Sequence, residues 1–181
     1  DDEPALRSAL EELPCCAADQ TGARSLPLNL VLIGKLDEWG PAFVRRNYRY
    51  APASPWQGFG RMQDLSGRKI SRWVAPQPHT LRLWLTPLRY QGKPIWVGQV
   101  STDLGGRFAA SGKGTRRIEP DVDEARNDVV QDLLYSQALA KVGFVKGASG
   151  VSAAEPGGAP NGSSYRTDGL RAVLVFGGEA V

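Results

Sequence analysis

The chain has 181 residues and a mass of 19.5 kDa, with 41% hydrophobic and 23% charged residues, which is material for one domain and excludes a disordered tail or a multidomain enzyme. Gly and Pro number 21 and 13, which excludes a long helical bundle and calls for many loops. Mean hydropathy is −0.30, and no run approaches the roughly 18 to 20 apolar residues of a membrane-spanning helix.

Charge is segregated along the chain. Residues 1–20 hold six acids and one base, residues 21–118 four acids and sixteen bases, and residues 119–181 nine acids and five bases, giving −5, +12 and −4 and hence the net +3. A basic middle suits a footprint for phosphate, nucleic acid or anionic lipid. The plainer reading is that folding brings the acids of the third segment onto it. Cys15 and Cys16 are adjacent and are the only cysteines. With one His they do not make the four ligands of a structural zinc site, and their acidic, Pro14-interrupted approach does not suit a lipidated cysteine. Two packed thiols or a vicinal disulfide are the readings left.

In chain order, Leu6, Leu10 and Leu13 fall at helical spacing, predicting a short helix over residues 4–13 that lies on the body, followed by a loop from Cys15 to Leu26. Leu28 to Ile33 is a nearly continuous apolar run stopped by Gly34, as in a strand buried on both faces. Asp37 is placed to cap a helix running to about Arg46, with Pro41 in its first turn and Phe43 and Val44 packing on the strand. Residues 51–78 carry seven Pro or Gly residues and read as a long irregular excursion with Trp56, Phe59 and Trp73.

Residues 79–85 and 95–101 are strand-like runs joined through Pro87 to Pro94, a hairpin. If Leu85 faces Val97, Leu83 meets Gln99, Leu81 meets Ser101 and His79 meets Asp103, a pairing that a slip of one residue would destroy. Asp121 is placed as the cap of a helix whose Glu124 completes a capping box. Its apolar face is Val122, Ala125, Val129, Val130, Leu133 and Leu134, and Glu124, Asp128 and Asp132 form an acidic stripe. Residues 147–169 are rich in Gly, Ala, Ser and Pro, and Leu170 to Phe176 is a last strand. The fold class is α+β, a single domain with a mixed or antiparallel sheet, helices on one face and long irregular loops.

Several phrases in sequence order carry a resemblance. They are residues 27–34 (Pro27 to Gly34), 59–64 (Phe59 to Asp64), His79 with Arg82-Leu83-Trp84, Trp96-Val97-Gly98, Ser101-Thr102-Asp103, residues 118–126 (Ile118 to Arg126) and Thr167-Asp168-Gly169-Leu170-Arg171. Together they resemble the LssY carboxy-terminal domain family of bacteria, over about Pro27 to Phe176. The resemblance implies an acidic helix-and-loop extension at 1–26 and the α+β domain at 27–181. Family members occur alone or joined to membrane-embedded portions similar to DedA and lipid-phosphatase domains, which implies a cell-envelope setting, periplasmic or membrane-associated. The family brings no established activity. Its pattern commonly has a histidine ahead of the Ile-Asp-Pro-like phrase, where this chain has Arg116 and Arg117, followed by Glu119; half of any two-histidine site is thus missing.

The most chemically suggestive set is His79, Asp103 and Asp64, an imidazole that a carboxylate would orient, with Arg61, Arg82, Arg116 and Arg117 as anion-binding candidates. It suggests a phosphoesterase-like hydrolase, although the chain has no nucleophile elbow, Walker loop or His-Glu-x-x-His motif. The alternative for Arg61, Asp64, Arg82 and Asp103 is an ion-pair network that pins the long loop onto the hairpin. Asp121, Asp123 and Asp103 offer oxygen ligands to a divalent cation, but at spacings unlike an EF-hand. No metal or cofactor is assigned. Tryptophans at strand spacing are more often core than stacking platforms, so nucleic acid is not expected as a partner. The preferred expectation is a non-catalytic accessory or binding subunit of a membrane-associated assembly, with a protein partner, Trp56, Phe59 and Tyr165 as contact aromatics, and peripheral membrane contact open.

Overall fold

A computed structural model describes residues 3–18, 24–53, 57–70, 79–104, 117–118, 121–147, 157–158 and 164–177. Its helices are α1 (Glu3–Glu11), α2 (Leu36–Arg45) and α3 (Val122–Ser136). The strands of the main sheet are β3 (Leu30–Ile33), β4 (Tyr48–Tyr50), β7 (Leu65–Lys69), β8 (His79–Tyr90), β9 (Lys93–Leu104), β10 (Arg117–Ile118), β11 (Leu139–Lys146) and β14 (Leu170–Phe176). They lie in the order β11-β14-β3-β9-β8-β7-β4, with β10 also on β9. Every neighbouring pair is antiparallel except β14 and β3, so the sheet is mixed and the class is α+β. A smaller antiparallel sheet, β2-β1-β5-β6, uses β1 (Cys16–Ala18), β2 (Arg24–Pro27), β5 (Gln57–Gly58) and β6 (Arg61–Met62). A two-stranded piece joins β12 (Gly157–Gly158) to β13 (Ser164–Tyr165).

Strand alternation divides the core between the two faces of the main sheet. On one face Leu30, Leu32, Leu81, Leu83, Trp96 and Leu174 pack against Trp39 and Phe43 of α2 and Val129 and Leu133 of α3. On the other, Val31, Ile33, Trp84 and Val97 pack against Leu10 of α1 and Ala17 of β1. The small sheet lies directly on Trp84: a Cβ at Gly58 would come within 2.8 Å of its ring. Thus α2 and α3 share one face, whereas α1 covers the opposite one.

The hairpin is longer than expected. β8 runs through Pro87 to Tyr90, and the turn is Gln91-Gly92, both left-handed at φ 51° and 77°, the two-residue turn that suits strand twist. Pro87 falls where the pairing shifts between Leu85 and Arg89, an irregularity that tolerates a residue without an N–H. Residues 15–26, expected as loop, include β1 and β2, and the excursion after residue 50 includes β5, β6 and β7. In α2 the N-cap is Lys35, not Asp37: the Lys35 N–H donates to Glu38 Oε1 at 2.9 Å. That backbone bond first, and Lys93 second, hold the Glu38 carboxyl below its usual range. Pro41 lies in the second turn, and Val44 is exposed while Phe43 is buried. In α3 Asp121 occupies the N-cap position without a side-chain cap bond, and Leu134 is exposed, so the apolar face is narrower than its spacing suggested.

Candidate functional site

The register of β8 on β9 decides which polar groups meet. The observed pairs are Leu85 with Trp96, Leu83 with Gly98, Leu81 with Val100 and His79 with Thr102, one residue off the expected alignment. A Cβ at position 98 would come within 2.7 Å of Leu83 and 3.0 Å of the Arg82 carbonyl, which explains why Gly98 sits opposite Leu83. His79 therefore faces Thr102 rather than Asp103, whose backbone pairs with Ile118. Its Nδ1 lies 3.0 Å from Thr102 Oγ1 and its Nε2 3.0 Å from Asp128 Oδ2. The imidazole is oriented by a carboxylate, as the sequence suggested, but the carboxylate comes from α3. The His79 side chain is 14% exposed and that of Asp128 50%.

Arg61 and Asp64 form a separate locus. Arg61 grips both Asp64 oxygens at 3.2 and 2.8 Å and donates to the Leu85 carbonyl at 2.6 Å. Asp64 Oδ2 accepts the Leu85 N–H at 2.8 Å, the Asp64 N–H reaches Leu83 O at 2.9 Å, and Trp84 Nε1 donates to Arg61 O at 3.0 Å. The bond from Arg61 is the main reason Asp64 ionises below the usual carboxylate range. Of the four residues considered for a pinning network, Arg61 and Asp64 meet here, while Arg82 bonds elsewhere. From His79 to Leu85 along β8 is roughly 20 Å at about 3.3 Å per residue, so these groups do not share one site. Arg82, buried on the face opposite α3, donates to Gln99 Oε1 and, at 3.4 Å, to Ser101 Oγ.

Phe59 is half-buried in the β5–β6 turn, left-handed at φ 56° with Gly60 at 75°, and its ring sits under the Arg61 guanidinium at 5.8 Å. Tyr165 is corrected from contact aromatic to core: it is 1% exposed and clusters with Leu26 and Val122. Trp84 and Trp96 are likewise buried. Arg117 lies on β10, paired with Leu104 through the backbone. Trp56, Trp73 and Arg116 lie outside the described residues, as do the side chains of Asp103 and Arg117. Among the described residues no group of three or more His, Cys, Asp or Glu is placed to hold a metal ion. Asp123, considered as a cation ligand, accepts instead from Thr167 Oγ1 at 2.6 Å and the Asp168 N–H at 2.7 Å.

Three polar centres were not singled out from the sequence. Arg171, fully buried in β14, donates to the carbonyls of Leu10, Leu13, Pro14, Leu28 and Gly147, tying α1 and the Cys15 segment to the sheet. Burial pushes its guanidinium down to about 10, still cationic at neutral pH. Asn29, also fully buried, exchanges bonds with Val100 N and O at 3.0 and 3.1 Å and reaches Val122 O at 3.4 Å, joining β3 to β9 and the start of α3. Arg126 holds Asp168 bidentately at 2.7 and 3.0 Å and the Leu170 carbonyl at 2.9 Å. Burial works against ionisation of Asp168, but Arg126 and the Leu170 N–H outweigh it and keep its carboxyl low. One signal was available: each is a polar side chain at an inward position of an otherwise apolar pattern.

Cys15 and Cys16 form a vicinal disulfide, half-buried beside the carbonyls that Arg171 holds. In comparison with known families, the model described as LssY C-terminus matches residues 38–170. No curated protein and no solved structure matches the chain.

Proposed function

Because the chain belongs to the LssY C-terminal domain family, we propose that it is a non-catalytic accessory or binding domain of the bacterial cell envelope, a subunit of a membrane-associated assembly. One observation supports this reading: the phrases on which the resemblance rests bond to one another. Asp64 and Arg61 of one phrase hold the backbone at Trp84 and Leu85 of the next. Asn29 bonds Val122, Thr102 meets His79, and Arg126 with Asp123 binds Thr167 and Asp168. Residues that satisfy each other in this way support an architectural role, since such networks often set geometry without doing chemistry. The disulfide supports an oxidising compartment such as the periplasm, since reduced thiols are the rule in the cytosol.

A second reading, a phosphoesterase-like hydrolase, is favoured by the orientation of His79 alone. In that reading Asp128, not Asp103, orients the imidazole, and Thr102 lies on its other nitrogen. The two readings part on a pair of variants, His79→Gln and Asp128→Asn, assayed with p-nitrophenyl phosphate and by urea unfolding. The accessory reading expects no turnover in the parent and a loss of about 1–2 kcal/mol of stability for His79→Gln. Turnover that His79→Gln abolishes at unchanged stability would establish the hydrolase.

A further inference from the structure

The outer face of the β11–β14 pair is only partly covered by α1, which leaves a groove of about 470 Å³. That volume is within the range of small-molecule sites, roughly 300–1,000 Å³. The groove is independent of the His79 locus, which lies on the other face of the sheet with α3. Its floor is apolar and graded along the strands. The register rows are Lys141 opposite Val175, Gly143 opposite Val173 and Val145 opposite Arg171. Leu6 and Leu10 of α1, Val145, Val173 and Val175 of the strands and Tyr90 of the hairpin line it.

Gly143 makes the groove deep. A Cβ built there meets nothing within 4 Å, so the middle row has open space where any other residue would begin to fill it. Gly is otherwise unfavourable in a strand, and in strand interiors it often marks a close approach by another group.

Charged side chains line the rim. Lys141 and Arg7 project at the groove, and Glu3 pairs with Lys141. Arg7 uses one N–H on the Phe144 carbonyl at 3.2 Å, which leaves the rest of its guanidinium for a ligand. The two cations outnumber the one carboxylate, so the rim attracts an anion.

We propose that this groove binds a single-chain amphiphile with an anionic head, a long-chain carboxylate. The acyl chain lies across the Gly143 row between Leu6 and Val173, and the head group accepts hydrogen bonds from Arg7 and Lys141. Burying the chain supplies affinity by removing apolar surface from water, and the cations choose the carboxylate over a neutral head.

The test is a fluorescence titration of the full chain with cis-parinaric acid, followed by displacement with palmitate and with hexadecanol. The expected result is saturable binding of one probe per chain, with palmitate displacing it at least tenfold more effectively than hexadecanol. Gly143→Leu, which fills the groove, weakens the probe at least tenfold. Arg7→Gln, at an exposed helix position, removes most of the preference for palmitate over hexadecanol while leaving the fold intact. Absence of saturable binding in the parent, equal displacement by the alcohol, or an unchanged preference in Arg7→Gln overturns the proposal. So does a dimer of the parent that Gly143→Leu dissolves, which would make a second copy the occupant.

Discussion

At the scale of single residues, polar side chains inside the sheet organise this molecule as much as its apolar ones do. Arg171 donates to five carbonyls in three separated stretches of chain, residues 10–14, Leu28 and Gly147, and removing it takes a donor from each. Each unsatisfied group costs about 1–3 kcal/mol, so Arg171→Met is expected to destabilise by at least about 3 kcal/mol in urea unfolding. Arg171→Lys recovers little of it, because an ammonium has three donors on one atom where the guanidinium spreads five over three nitrogens. The carboxylates add a pH dependence of definite sign. Asp64, Asp168 and Glu38 all ionise below their usual range in the folded chain. Their contribution is therefore complete above the unfolded pKa values, near about 4, and is lost as pH falls through the lower folded values. The urea midpoint should drop across that acid window, and Asp64→Asn should flatten part of the drop. None of this was legible as function in the sequence. Asn29 and Arg171 sit inside runs that read as buried strands, and a one-dimensional pattern does not reveal which carbonyls lie within reach.

At the scale of elements, legibility followed pattern. The β8–β9 hairpin and α3 were expected where they occur because each is long enough to show its period, and β3 and β14 because they lie in nearly continuous apolar runs. β1, β2, β5 and β6 span two to four residues, too few for a period to register, and tertiary pairing alone makes them strands. The hairpin was recognised but misaligned by one residue, and that slip is what joined His79 to Asp103 in the expected site. Register was set by a feature with no periodic signal: the absence of a Cβ at Gly98. Gly98→Ala should cost about 1–3 kcal/mol, since its methyl group meets Leu83 and the Arg82 carbonyl. Gly143→Ala is the matched control. Its methyl enters open space, so stability should hold or rise by about 0.4–1 kcal/mol as the unfolded chain loses freedom. Equal losses for both variants, measured by thermal unfolding, would mean that strand glycines act here through propensity and not packing.

At the scale of the whole molecule, the segregated charges of the sequence meet as the plainer reading held. Asp132 of the acidic third segment, buried rather than part of a solvated stripe, holds Arg46 at 3.2 Å and Lys69 at 2.7 Å and accepts from the Tyr48 hydroxyl. Burial beside that carboxylate pushes the Tyr48 phenol far up. The basic middle is thus partly neutralised from within, which weakens the case for a broad polyanion footprint. No helix among the described residues is long and apolar enough to cross a membrane. The disulfide offers an independent check on compartment: protein isolated without reductant should show no free thiol by thiol titration and should gain two hydrogens in mass on reduction. Two free thiols in material from intact cells would argue against the periplasm. The most direct test of the central claim is native mass spectrometry of the protein extracted in mild detergent from its own cells. The account predicts a stoichiometric complex with at least one other protein; a free chain that turns over phosphate esters would contradict it.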